Sequence, residues 1–524
     1  MNQIKQKSAQ DLIYEVSIKI DCCDPSHQLS EILLTFLQAA IIVDNKLRTT
    51  RYKIIMLKNL SAIPLLLTIA LCPPAVLHAA SAALDSAPVT TELPFFRSAG
   101  GAAIVKGSFA TQYAIRVAGV SGNRDTDNDL HERLRLDVYS PQRDTGYELH
   151  FFAAASQDLD GDRNRTGFFP LEDINDARDS WFSGYVYEAH YDLNRPAPYV
   201  TQLRIGRQAG TRDEPVFFDG IAADLALGSL MNMTAYGGAS VHFYEIDQDW
   251  GSDLLGGAGI DLHPFRSTML SLDYLHAEDE RNLVGTSDQA DELLSLRLRQ
   301  RLGLFTRTMV AYRSLNGEPR DVKARLLQSF PSADLELSFT WFRQFREQNE
   351  LSNELSPYFD ILGSSFPYQT YDAKIRKAFG SHVAVDLGYY KRELLKERVE
   401  NAFNREYERA FAVLQFSDIV KKGLSFSLTG DWWETLDREF TSAGFDAEYR
   451  FGKDRKKTRL NAGTYYSLYK FDYYILLGER EKVRTYYVKG GTPLTTSISL
   501  DISYEYEDSI ENYSVARMGM RYDF

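Results

Sequence analysis

Residues 498–507 read ISLDISYEYE, which sets Ile498, Leu500, Ile502, Tyr504 and Tyr506 against Ser499, Asp501, Ser503, Glu505 and Glu507. Side chains of a β-strand alternate between two faces, so this run predicts a strand with one apolar and one polar face. The same period returns at 294–301, LSLRLRQR, where Leu294, Leu296 and Leu298 alternate with Ser295, Arg297, Arg299 and Arg301. Leu134, Leu136 and Val138 stand in the same way against Arg133, Arg135 and Asp137. So do Val383, Val385, Leu387 and Tyr389 against Asp386 and Gly388, and Leu424, Phe426 and Leu428 against Ser425, Ser427, Thr429 and Asp431. Segments of this kind, parted by Gly, Pro, Asn and Asp, fill the chain from 106 to 524, and helical periodicity is almost absent.

A secreted β-sandwich or propeller also alternates, but its strands bury one face in a dry core. Here charged and small polar residues hold the second face along the whole chain. That pattern predicts an all-β fold, a single transmembrane antiparallel up-and-down barrel with lipid outside and water inside. An Arg or Lys facing mid-bilayer lipid costs roughly 2–4 kcal/mol, so the charged residues mark the lumen. The expected pore-lining set is Arg133, Arg135, Asp137, Arg204, Arg297, Arg299, Arg301, Asp386, Asp431, Asp501 and Glu505. Ordinary pore-wall salt bridges explain these charges as readily as solute ligation does.

Connections test the barrel independently, because outer-membrane barrels alternate short periplasmic turns with longer extracellular loops. Ten short connections alternate with eleven longer or more polar ones, the latter including 120–131, 156–180, 314–321 and 346–368. The count gives 22 strands, with 20 or 24 acceptable, and both termini in the periplasm. The chain closes on Met518, Met520, Tyr522 and Phe524 along one face. This resembles the C-terminal signal by which bacterial outer-membrane barrels are recognised for insertion. At the level of pattern, residues 100–524 resemble porin-like outer-membrane proteins. The resemblance implies outer-membrane lipid and the barrel assembly machinery as partners.

Ahead of the strands, residues 56–82 read MLKNLSAIPLLLTIALCPPAVLHAASA, a single Lys, a Leu-rich stretch and small residues at the end. This is the layout of a secretory signal peptide, with cleavage expected between about Ala79 and Ala83 and Sec export to the outer membrane. Met56 already heads a complete signal, so residues 1–55 are expected to be an extension ahead of the true start, or disordered. Residues 83–105 then form a short periplasmic segment, too short for a folded plug. Residues 106–524 form the barrel.

Composition agrees. The 524 residues are 44% hydrophobic and 25% charged, with 31 Tyr and 30 Phe, enough apolar material for a folded chain. A mean hydropathy of -0.32 beside so many rings argues against a helical membrane protein. A net charge of -13 argues against nucleic acid as the partner. The three cysteines, Cys22, Cys23 and Cys72, all precede the expected cleavage site, so the exported part has no disulfide, thiolate metal site or attached haem.

Little in the sequence points to catalysis. No GxSxG occurs, and an outer-membrane enzyme is the weakest reading. His131, His150, His190, His242, His263, His276 and His382 lie scattered, without metal-ligand spacing. Asp125, Asp127 and Asp129 alternate in one expected loop, and Asp158, Asp160, Asp162 and Asn164 in the next. The second run resembles the opening of a calcium loop, although Phe169 stands where its closing Glu belongs. We therefore weigh Ca2+ there against a solvated acidic loop. The first functional reading is a channel for small hydrophilic solutes. Barrels of 22 strands are generally plugged, so long loops such as 156–180 and 346–368 must fold inward, or another protein must fill the lumen. The alternative is a structural sheath enclosing a multihaem cytochrome, as in porin-cytochrome electron conduits.

Overall fold

The computed structural model describes Phe96–Arg97, residues 103–160 except 121–122 and 142–145, residue 171, and most of 181–524. In that last stretch 211–215, 242–252, 280–288, 348–365, 396–399, 401–403, 437, 453–457, 469, 472–478, 481 and 510–511 are left aside. The export signal, the extension before it, Asp162 and Asn164 lie outside the described residues.

Twenty-two strands build the barrel and run in chain order; the two-residue strand Phe96–Arg97 pairs with the first of them, and Lys470–Phe471 pairs with Glu479–Arg480. They begin with β1 (Ile104–Val120), β2 (Asn123–Tyr139), β3 (Tyr147–Asp158), β4 (Phe182–Ala197), β5 (Val200–Ala209) and β6 (Phe217–Leu227). Next come β7 (Met231–Ser240), β8 (Leu254–Phe265), β9 (Thr268–Asp279), β10 (Gln289–Leu302), β11 (Thr306–Leu315) and β12 (Glu318–Phe330). The series continues with β13 (Leu335–Gln344), β14 (Tyr368–Phe379), β15 (Val383–Leu394), β16 (Tyr407–Ser417) and β17 (Leu424–Thr435). It ends with β18 (Glu439–Phe451), β19 (Thr458–Ser467), β20 (Val483–Pro493), β21 (Ile498–Asp508) and β22 (Asn512–Asp523). Each pairs antiparallel with the next, and β22 pairs with β1 from Ser108↔Asp523 to Gly119↔Asn512, so the sheet closes on itself and leaves no open edge. Both ends of the barrel chain and the ten connections that follow even-numbered strands share one rim, the turn end; the other eleven connections, which include the longest, share the loop end.

Closure is finished by the last residue. Phe524 donates its amide to the Gly107 carbonyl at 2.9 Å and accepts from the Gly107 amide at 2.8 Å. Its ring lies where a β-carbon on Gly107 would stand, 2.5 Å from the ring edge, so only glycine leaves room for the terminal aromatic.

Two expected loops are hairpins instead. The stretch 120–131 belongs mainly to β2, which pairs from Val120↔Asn123 onward. Its aspartates are held on the inner wall because Arg116 of β1 ion-pairs with both Asp127 and Asp129. The stretch 314–321 turns through Asn316 and Gly317 alone, with φ of 53° and 78°. That Asn-Gly pair is the standard two-residue hairpin signal and outweighs the polarity of the stretch.

Candidate functional site

Cross-strand partners share a face, so the registers carry each assignment around the barrel. On β10, Leu294, Leu296 and Leu298 point outward, against Tyr274, Leu272 and Leu270 of β9 and Ser314, Tyr312 and Val310 of β11. The outward set continues as an exposed apolar belt through Ile205, Ile221, Phe339, Ile375, Leu387, Leu428, Phe445, Val488, Ile502, Met518 and Met520. The opposite face encloses the lumen, which is the candidate site.

The expected lining residues stand on that inner face. Arg133 and Arg135 of β2 are exposed to it, and Arg135 lies 3.3 Å from Asp137. Asp137 in turn lies 2.6 Å from His150 Nδ1. Arg204 grips Asp192 with two hydrogen bonds, Nε at 2.7 Å and a terminal nitrogen at 2.9 Å. Asp386 accepts from Gln415 at 2.8 Å, with Arg376 at 3.7 Å. Asp431 pairs with Arg409, and Glu505 with Lys489 at 2.6 Å. Asp501 faces Gly491 across the seam of β20 and β21. Arg297, Arg299 and Arg301 share the inner face of β10, where Arg299 and Arg301 are exposed. Arg307 of β11 and Lys323 and Arg325 of β12 are exposed beside them, which builds a cationic strip on the wall of an otherwise acidic chain.

Polar residues do not hold the inner face throughout. Near the loop end of β6–β11, Val216, Phe218, Leu255, Leu275, Leu293 and Leu315 form a buried apolar cluster on the inner wall. A second cluster joins Ala118 of β1 and Tyr513 and Val515 of β22 to Leu171. Leu171 belongs to the connection between β3 and β4, is 1% exposed, and donates its amide to Asp125 at 3.2 Å. The connection thus reaches into the barrel at that point. The aromatic doublets divide between the faces: Tyr389, Trp432 and Tyr486 point outward, whereas Tyr390, Trp433 and Tyr487 point inward. Neighbouring side chains of a strand point to opposite faces, so only one ring of each doublet faces outward.

The structure regroups the expected calcium ligands. Of that set Asp158 and Asp160 are described, and Asp127 of β2, outside it, joins them: the three offer carboxylate oxygens within 4.8 Å of one another. Burial, and then the hydrogen bond to Asp158, raise the Asp160 carboxyl above its ordinary range. The histidines are also regrouped. His150 of β3 and His190 of β4 are direct cross-strand partners, with rings 4.9 Å apart and Asp192 beside them. Linear spacing hides this pair. The traces in the sequence are that His190 and Asp192 share one strand face and Glu148 and His150 another.

No protein-family model matches this chain, and no curated protein matches it. Several solved barrels resemble it in structure. The P pilus usher (PapC) translocation pore has a TM-score of 0.44 at 10% identity, covering 79% of this chain and 99% of that one. OpdQ of Pseudomonas aeruginosa gives 0.37 at 12%, covering 80% and 97%, and OccK8 (OprE) of the same organism gives 0.36 at 9%, covering 80% and 98%. At these values the likeness is of barrel to barrel. The assignment rests on this chain's own strand pairing, a closed 22-stranded antiparallel barrel with an apolar outer belt and a charged lumen, which is the build of a transmembrane β-barrel protein.

Proposed function

We propose that the chain is a porin-like channel of the bacterial outer membrane that passes small hydrophilic solutes and does no covalent chemistry. One observation carries this reading. Charged side chains such as Arg299, Arg301 and Arg325 stand exposed on the inner face of a closed barrel whose outer face is apolar. An exposed guanidinium keeps its hydration only where water is present, so the inner face is a wet one. Leu171 supports a sieve, because a connection held against the inner wall narrows a lumen that 22 strands would otherwise leave wide. In this reading Met518, Met520, Tyr522 and Phe524 meet lipid and present the insertion signal to the barrel assembly machinery, the turn end faces the periplasm, and the chain reaches the membrane through Sec export.

Planar-bilayer recording of the purified protein tests the proposal. Steady conductance steps are the expected result; a silent barrel that copurifies with haem overturns the channel in favour of the cytochrome sheath. Calcium at Asp127, Asp158 and Asp160 belongs to the same reading as a stabiliser of the loop end. EGTA should then lower the unfolding temperature, and an unchanged temperature removes the ion.

A further inference from the structure

We propose that the lumen wall near the turn end binds one divalent transition-metal cation through His150, His190 and Asp192, with Glu148 at its edge. The three ligand atoms lie within 4.8 Å of one another. His150 Nε2 is 3.8 Å from Asp192 Oδ2, and His190 Nε2 is 3.9 Å from Asp192 Oδ1. Those separations exceed a hydrogen bond. They are close to the spacing of about 3.4 Å that two bonds of about 2.0–2.1 Å make at a tetrahedral ion. Glu148 Oε2 lies 3.3 Å from His150 Nε2 and offers a fourth ligand.

The outer contacts aim both rings. His150 Nδ1 lies 2.6 Å from the Asp137 carboxylate, and His190 Nδ1 lies 3.3 Å from the Arg207 carbonyl. Neither oxygen has a proton to give, so each Nδ1 carries the hydrogen, and in the neutral ring, the form that binds a metal, each Nε2 has a lone pair directed toward Asp192. A carboxylate or carbonyl on the far nitrogen is the arrangement that orients imidazole toward a metal. Asp192 is fixed as well, by the two bonds from Arg204 and one from Gln202 at 2.7 Å. Burial makes the site a built one: Asp192 is 1% exposed and His190 7%.

Charge favours the ion. With neutral imidazoles, the carboxylates of Asp137, Glu148 and Asp192 outweigh the guanidiniums of Arg135 and Arg204 by one, so the cluster carries a net negative charge that favours a cation. Two nitrogen ligands select zinc, copper or nickel over calcium or magnesium.

The test uses the full folded barrel in detergent, stripped with EDTA and titrated with Zn2+ by calorimetry, with metal content read in parallel. One ion per chain is expected. The His150→Ala/His190→Ala double variant should lose affinity about 100-fold or more, while His276→Ala, outside the cluster, should bind as the parent does. Asp137→Asn keeps all ligands but weakens the hold on His150, and a loss of about 10- to 100-fold is expected. This single variant decides the matter if heat-modifiable migration shows that the double variant fails to fold. The absence of saturable Zn2+ binding by the parent overturns the site. So does unchanged affinity in the folded double variant or, where that variant fails to fold, in folded Asp137→Asn. Binding is read without conductance, so failure here leaves the channel reading intact, and a silent bilayer leaves the metal site intact.

Discussion

Replacing Leu296 by Arg is the sharpest test of the strand phase. Leu296 points outward from β10, is 44% exposed, and lies between Leu272 of β9 and Tyr312 of β11. The strand ends, Gln289 and Leu302, stand seven and six residues away, or roughly 20 Å of extended chain on either side. A guanidinium at 296 therefore meets hydrocarbon with no aqueous rim in reach, at a cost of roughly 2–4 kcal/mol. With a urea slope of about 2 kcal/mol per molar, the unfolding midpoint in lipid vesicles should fall by about 1–2 M. Arg297→Leu one residue on should shift the midpoint by less than about 0.5 kcal/mol equivalent, since it removes a charge from the wet face. Single cysteines probe the same two faces chemically, because the three native cysteines all lie in the first 72 residues. A cysteine at 297 should react with a membrane-impermeant thiol reagent in folded vesicles, and one at 296 should not. Reaction at 296 but not at 297, or a harmless Leu296→Arg, would refute the assignment of faces.

Three further outcomes follow from the same geometry. Gly107→Val should sharply reduce the heat-modifiable folded form, because its side chain would occupy the place of the Phe524 ring; normal assembly on gels would show that the ring can move aside. Arg299→Glu with Arg301→Glu reverses the cationic strip and should move the reversal potential of the open channel toward cation selectivity; an unmoved potential places the strip off the conduction path. Leu171→Ser uncouples the β3–β4 connection from Ala118, Tyr513 and Val515, so single-channel conductance should rise, and an unchanged step size would mean that this connection does not limit the pore.

The architecture is legible because period-2 alternation is a local signal that survives without knowledge of partners. Leu294 to Arg301 announces its own two faces, and the terminal dyad does the same. Loop ends are less legible, since Asp125, Asp127 and Asp129 look like solvated loop until Arg116 of the neighbouring strand is set between two of them. Leu293 and Leu315 break the inner phase for a similar reason: what buries them is not in their own strands. The pairing of His150 with His190 is out of reach, because it depends on register between strands joined by a long connection, and composition does not encode register.

The seam between Gly107 and Phe524 also bears on how the barrel closes. The two residues stand at opposite ends of the barrel strands, so the closing contact has a very large sequence separation and a correspondingly high cost of loop closure. A sheet of these strands that has not closed has two unsatisfied edges, each a template for pairing with another chain. An unclosed barrel therefore gains from anything that keeps its two edges apart until β1 and β22 meet.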